Sequence, residues 1–292
     1  MTTVGTVNTL RTLFVSSRPL SWVNTAFPFA AAYFVTTRQI DAVFVIGTLY
    51  FLIPYNLAMY GINDVFDYES DLRNPRKGGV EGALLPPQQH RRTLIAAVLT
   101  NAPFLFALFA VGSPLSGVVL SISVFAVVAY SVAGLRFKER PFLDSITSST
   151  HFVSPAVFGL VLAGATFTPA LWAILAAFFL WGTASHAFGA VQDIVADREG
   201  RISSIATVVG GRTTVRLALA AYLLAGILLL FSGLPGGLAA VLTVAYAAIV
   251  WPFRSITDVQ AETANRGWRR FLFVNFASGF VVTMILIWYC TH

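Results

Sequence analysis

An all-α membrane bundle of about nine transmembrane helices is the fold class this sequence predicts, and three observations predict it. Charged residues make up only 11% of the 292 and apolar ones 57%, whereas soluble domains carry roughly 25% charge. Mean hydropathy is +0.74. Long apolar runs recur at about 20–37, 42–62, 93–112, 115–134, 143–164, 169–191, 214–232, 235–253 and 271–290, each close to the ~20 residues that cross ~30 Å of hydrocarbon. Finally, the cations fall in every second loop. Nine spans consume the chain, so residues 1–292 are expected to form one membrane domain with no separate soluble domain.

The breaks between runs carry proline, glycine or charge, as at Ser113-Pro114, Thr168-Pro169 and Gly233 to Gly237. Arg11 and Arg18 precede the first run. Arg73, Arg76, Lys77, Arg91 and Arg92 follow the second, and Arg136, Lys138 and Arg140 follow the fourth. Arg198, Arg201, Arg212 and Arg216 follow the sixth, and Arg254, Arg266, Arg269 and Arg270 follow the eighth. Only Arg38 lies on the other side, so 18 of 19 cations obey one alternation. The positive-inside rule reads this as a cytoplasmic N-terminus and an outside C-terminus, in the cell membrane. The net charge of +6 is then a topology signal, with some attraction to anionic lipid headgroups. Nucleic acid is not an expected partner; membrane lipid is. A single cysteine, Cys290, excludes internal disulfides and thiolate metal cages. Residues 1–18 are polar and lack a cleavable signal pattern.

The loops after the second and sixth runs carry the acids. The second run ends in Asn63-Asp64-Val65-Phe66-Asp67-Tyr68-Glu69-Ser70-Asp71, and the sixth in Gln192-Asp193-Ile194-Val195-Ala196-Asp197. On a continuous helix Asp64, Asp67 and Asp71 share one face, as do Asp193 and Asp197. The clusters start 129 positions apart, 193 minus 64, which suggests two related halves whose acidic ends face each other. Carboxylates gathered in this way repel unless a cation joins them. Mg²⁺ suits oxygen donors, one or two carboxylates at a time, with water and substrate phosphates completing its shell. The bland reading, acids on a solvated interfacial helix end, fits one cluster better than a matched pair. Cations stand near: Arg73, Arg76 and Lys77 after the first cluster, Arg136 and Lys138 after the fourth run, and Arg18 before the first, where Arg and Lys can bind phosphate oxygens.

Asn63-Asp64-x-x-Asp67-x-x-x-Asp71 resembles the first motif, and Asp193-x-x-x-Asp197 the second, of the UbiA superfamily of intramembrane prenyltransferases. The resemblance implies a helical bundle of two pseudo-repeated halves around a central cavity, and Mg²⁺-dependent transfer of a prenyl group from its diphosphate. It assigns Asp64, Asp67, Asp71, Asp193 and Asp197 as metal-binding catalytic acids. Asn63, Arg18, Arg73, Arg76, Lys77, Arg136 and Lys138 fall to the diphosphate; His186, seven residues before Asp193, is a cavity candidate, with a neutral histidine bonded between helices as the equal alternative, and Tyr68 and Tyr130 are cavity candidates too. Many members continue the first motif as N-P-R-T-x-x-R-P-L. Here Asn74-Pro75-Arg76-Lys77-Gly78-Gly79-Val80-Glu81-Gly82-Ala83, with Arg140-Pro141-Phe142-Leu143-Asp144 later, is more similar to the bacterial lycopene elongases of fifty-carbon carotenoid synthesis. That branch implies dimethylallyl diphosphate as donor and lycopene as acceptor. An aromatic quinone precursor is the alternative acceptor.

Ionising an allylic diphosphate leaves an allyl cation and pyrophosphate, and preorganised positive charge stabilises the leaving group. A lipid-enclosed site keeps water from the cation, and aromatic faces, abundant among 25 Phe, 9 Tyr and 6 Trp, can stabilise it. His151 and His186 sit inside runs five and six, where ionisable residues are functional candidates. His151 follows a small polar stretch, Thr147 to Thr150, that suits helix–helix contact. An ion-coupled transporter is the reading from another class, but transporters put their acids near the midplane on broken helices, not at helix ends.

Overall fold

The computed structural model describes residues 3–72 and 84–292, and among them there are helices and no strands. The chain divides into two compact units, residues 1–136 with 154–165, and residues 137–153 with 166–292. In the first unit, α1 (Thr3–Ser16), α2 (Val23–Thr37), α3 (Ala42–Leu52), α4 (Pro54–Phe66), α5 (Tyr68–Asp71), α6 (Pro87–Val111) and α7 (Pro114–Ser131) follow in order. The next helix, α8 (Leu143–Leu162), begins in the second unit and ends in the first. The second unit continues with α9 (Pro169–Val191), α10 (Ile194–Glu199), α11 (Ile205–Val209), α12 (Gly211–Leu230), α13 (Ala240–Val250) and α14 (Asn265–Thr291).

Eight helical stretches among the described residues are long and apolar enough to span a bilayer. The ninth expected span, 20–37, is helical too, but α2 has 15 residues, about 22 Å. Its ends explain the length. Pro19 opens a 3₁₀ turn at Pro19–Ser21, and Arg38 adopts a left-handed conformation, φ 58°, that stops the helix. Asp41 then caps α3, accepting from the Phe44 amide at 2.8 Å and from the Tyr33 hydroxyl at 2.9 Å. The Phe44 amide, first among several hydrogen bonds, holds the Asp41 carboxyl below its usual pKa.

The second span is two helices in one 25-residue stretch, Ala42–Phe66, because Pro54 cannot donate to the ladder. In lipid the carbonyls freed at such a break need partners. Asn56 supplies them: its Nδ2 donates to the carbonyls of Phe51 at 2.8 Å and Leu52 at 3.1 Å, and to Thr25 Oγ1 at 2.7 Å. Asn101 of α6 donates to the Pro54 carbonyl at 2.7 Å. These bonds lock α4, and hence the acidic cluster at its end, against α2 and α6. The core beneath is aromatic, with Phe29 at 5.3 Å from the Phe51 ring and 5.8 Å from Phe158. Gly47 and Gly159 admit it: a Cβ at Gly47 would strike the Phe29 ring, and one at Gly159 would lie 2.9 Å from the Phe29 carbonyl oxygen. Small residues allow such close approach in membrane bundles.

The second unit is built on α9 against α12. Ser185 Oγ lies 2.9 Å from the Tyr222 hydroxyl, Tyr222 stacks on Tyr246 of α13 at 5.5 Å, and Trp181 and Trp268 stack on Phe271 of α14. Ser149 of α8 donates to the Phe179 carbonyl at 2.7 Å, and Gly182 opposite it leaves no room for a Cβ. That contact makes α8 and α9 close antiparallel neighbours.

Candidate active site

The first acidic cluster is set by how α4 stops. Asp67 is a one-residue break at φ −100°, ψ −2°, after which α5 resumes. The ladder continues through the break, with the Asp67 amide donating to the Asn63 carbonyl at 2.9 Å and the Asp71 amide to the Asp67 carbonyl at 2.8 Å. Asp64 and Asp71 are buried, and the Asp67 side chain is 12% exposed. The second cluster repeats the turn. Asp193 breaks the helix at φ −97°, ψ −3° after α9, and the Asp197 amide donates to the Asp193 carbonyl at 2.8 Å. The angles and the following bond match Asp67 with Asp193 and Asp71 with Asp197, an interval of 126 (193 minus 67, and 197 minus 71), although the Asp193 amide closes on Ala190, three residues back, where the Asp67 amide closes on Asn63, four back. The 129-residue spacing read from the sequence aligned Asp64 with Asp193. The like angles at the two breaks offer a second register, 126, beside it.

Two arginines expected to bind diphosphate are each engaged by a carboxylate. Arg18 Nη2 donates to Asp64 Oδ1 at 3.1 Å while its guanidinium lies over the Tyr60 ring at 4.4 Å. Arg136 Nη2 is 3.7 Å from Asp67 Oδ1, and its Nη1 donates to the Phe66 carbonyl at 3.4 Å. Both arginines have left-handed backbones, φ 49° and 40°, which non-glycine residues adopt at a cost. Arg has five donors, more than the one that Arg18 gives to Asp64. Asn63 Oδ1 accepts from Ser131 at the end of α7 at 3.0 Å, beside Tyr130, which is half-buried. Tyr68 packs edge-on against His90 at 5.2 Å, fixing α5 to the start of α6. Lys138 sits half-buried in the 3₁₀ turn Phe137–Glu139 of the second unit. Arg73, Arg76 and Lys77, with the Asn74 to Ala83 segment, lie outside the described residues.

In the second unit Gln192 Oε1 accepts from Asn265 at 2.6 Å, and Arg198 bridges to Asp258 at 2.8 Å and to the Thr207 carbonyl at 2.8 Å. Asp258 in turn accepts from the Gly211 amide at 2.7 Å. Sequence reading missed Asp144. It is fully buried, accepts from the Ser145 amide at 2.7 Å and, across to α11, from the Ile205 amide at 2.7 Å. The neighbouring Ser145 hydroxyl lies 3.1 Å from His186 Nδ1. His151 is buried within α8.

Among the described residues no three His, Cys, Asp or Glu side chains close around a metal by themselves. Mg²⁺ needs no such cage, taking one or two carboxylates and leaving positions for water and phosphate. Within each unit the acids, Asp64, Asp67 and Asp71 in the first and Asp193 and Asp197 in the second, are oxygen donors of the kind that ion takes. A groove of about 680 Å³ on the first unit, lined by Phe109, Gly112, Val118, Ile122 and Phe125, lies at the opposite end of α7 from Ser131.

The profile of the UbiA prenyltransferase family matches residues 25–277. The chain is 56% identical over 285 residues to the C(50) beta-cyclic carotenoids biosynthesis protein LbtBC of Dietzia sp. (strain CQ4), covering 97% of this chain and 66% of that protein. It is 52% identical over 278 residues to a lycopene elongase/hydratase of Corynebacterium glutamicum, covering 95% of this chain and 97% of that one. A UbiA homolog from Archaeoglobus fulgidus bound to DMAPP and Mg²⁺ superimposes with a TM-score of 0.69 at 18% identity, over 91% of this chain and 98% of the other. At that identity the likeness is one of fold.

Proposed function

This chain belongs to the UbiA prenyltransferase family as a multi-pass membrane protein, and on that premise we propose that it is a lycopene elongase, transferring dimethylallyl groups from dimethylallyl diphosphate to the ends of lycopene. The observation that carries the reading is the 52% identity, over nearly the full length of both chains, to the Corynebacterium lycopene elongase/hydratase. The Dietzia protein, of which this chain spans 66%, bears a fifty-carbon carotenoid name as well.

Mg²⁺ bound by Asp64, Asp67 and Asp71, and by Asp193 and Asp197, would neutralise charge on the departing diphosphate. The remaining roles belong to the chain. Arg18 and Arg136 pair directly with the carboxylates, and their guanidinium charge suits phosphate oxygens. Ser131 fixes the Asn63 amide. The second-cluster acids sit on a break with similar angles, φ −97° at Asp193 against −100° at Asp67. The apolar faces of the spanning helices exclude water from the allyl cation until the alkene of the acceptor reaches it.

Mass spectrometry of lipid extracts from a lycopene-producing host tests the substrate pair. Species heavier than lycopene by one and two prenyl units are expected. Unchanged lycopene from well-expressed protein, with prenylation of 4-hydroxybenzoate by the same membranes, would move the chain to the quinone branch. The alternation of cations favours a cytoplasmic N-terminus and acidic loops in the cell membrane. A reporter inserted beside Arg201 is expected to face the cytoplasm and one after His292 the outside; an outside signal at Arg201 would reverse this orientation.

A further inference from the structure

We infer that the Arg198–Asp258 pair is a positioning device for the second acidic cluster, setting how tightly Asp193 and Asp197 hold Mg²⁺; this rests on the metal reading of those acids above. Asp193 caps α10, and Asp197 lies within it. That helix has six residues, Ile194–Glu199, well short of the ~12 at which an isolated helix is even marginally stable. Its geometry must therefore come from what it is tied to.

The ties flank the acids on both sides. Gln192, immediately before Asp193, accepts from Asn265 at 2.6 Å. Arg198, immediately after Asp197, reaches Asp258 Oδ2 at 2.8 Å. Asp258 and Asn265 are the two ends of one stretch, because the 3₁₀ helix Asp258–Ala264 runs directly into Asn265, the first residue of α14. Ala261 and Ala264 of that stretch are buried in the core of the second unit, as is Ile194 of α10. A single core-anchored segment thus holds the chain just before the first acid and just after the second.

The Arg198 end gathers two further elements. Arg198 Nη2 also donates to the Thr207 carbonyl of α11 at 2.8 Å, and Asp258 Oδ1 accepts from the Gly211 amide at the start of α12 at 2.7 Å. Beyond Arg198 the chain turns back at Arg201, φ 56°, and the Ile202 amide donates to the Asp197 carbonyl at 2.8 Å. The main chain of Asp197 is therefore part of the same knot. The Arg198 and Asp258 side chains are 46% and 34% exposed. An ion pair that wet adds little to global stability, so its effect falls on the local posture of α10 and the carboxylates it carries.

The test titrates Mg²⁺ into purified parent protein, Arg198→Gln and Asp258→Asn. Two midpoints are read: that of prenyl transfer, and that of the rise in melting temperature with inorganic pyrophosphate present and no donor. Both midpoints are expected about tenfold higher in each variant, the low end of what an outer partner of a metal ligand contributes. The rate at saturating Mg²⁺ and the melting temperature in EDTA should stay near the parent's. Asp258→Asn keeps an oxygen for the Gly211 amide, so it removes the charge without stranding that donor. Arg198→Lys keeps charge and donors for Asp258 and Thr207 and is expected to bring both midpoints back toward the parent. Parental midpoints in both Arg198→Gln and Asp258→Asn would overturn the proposal. So would a lowered melting temperature in EDTA with unshifted midpoints, the mark of a purely structural pair. A parent with no Mg²⁺ dependence in either readout would instead refute the metal reading of the acids, and the positioning role with it.

Discussion

Asp67→Ala and Asp193→Ala are each expected to lower prenyl transfer by about a thousandfold, the scale of several kcal/mol of lost metal-centred charge stabilisation. Each residue sits at a helix break, with φ −100° and −97°, and the main-chain carbonyl of each accepts the amide four residues on. Alanine keeps the turn and removes only the carboxylate, so the variants are expected to fold and extract like the parent. The rate is measured with dimethylallyl diphosphate at rising Mg²⁺, and the parent should fall to background in EDTA. Near-parental rates in both variants, or parental activity in EDTA, would remove the acids from the reaction.

Arg18→Ala is expected to destabilise the protein, by up to about 3–5 kcal/mol, the scale of removing one member of a buried ion pair. Asp64 is fully buried, and its Oδ1 lies 3.1 Å from Arg18. Adding Asp64→Asn removes the buried negative charge and should restore part of the melting temperature in detergent, yet not the activity, because a guanidinium and a carboxylate are then both missing. Arg18→Lys retains charge but loses the planar face lying 4.4 Å over Tyr60, so it should fall between the two. A melting temperature for Arg18→Ala equal to the parent's would show that Asp64 does not depend on this pair.

What the sequence disclosed was whatever is local or periodic. Apolar runs and alternating cations specify the spans because hydrocarbon imposes length and charge rules on each segment separately. The acids at the ends of α4 and α9 were legible as residue types in a fixed pattern. Their mutual geometry was not, since the break at Asp67 is a main-chain event that no side chain announces. Neither were the partners. Arg18 finds Asp64 across 46 residues, Ser131 finds Asn63 across 68, and Asp144 reaches the Ile205 amide across 61. Such pairs follow from helix packing rather than spacing. The short α2 was likewise hidden, because hydropathy at 20–37 gives no hint that Arg38 turns left-handed.

The repeated break bears on how such a site can evolve. Tyr68, Glu69 and Ser70 stand between the acids of one turn, and Ile194, Val195 and Ala196 between those of the other. No side chain is shared, yet the backbone angles agree within a few degrees and the closing amide-to-carbonyl distance is 2.8 Å in both. The turn is thus written in atoms that every residue but proline possesses. Mutation can rework the intervening side chains freely, trading a tyrosine for an isoleucine or a charge for a methyl group, without moving the carboxylates. Two such turns can thus carry different side chains between their acids while the main-chain bond that spans them stays the same.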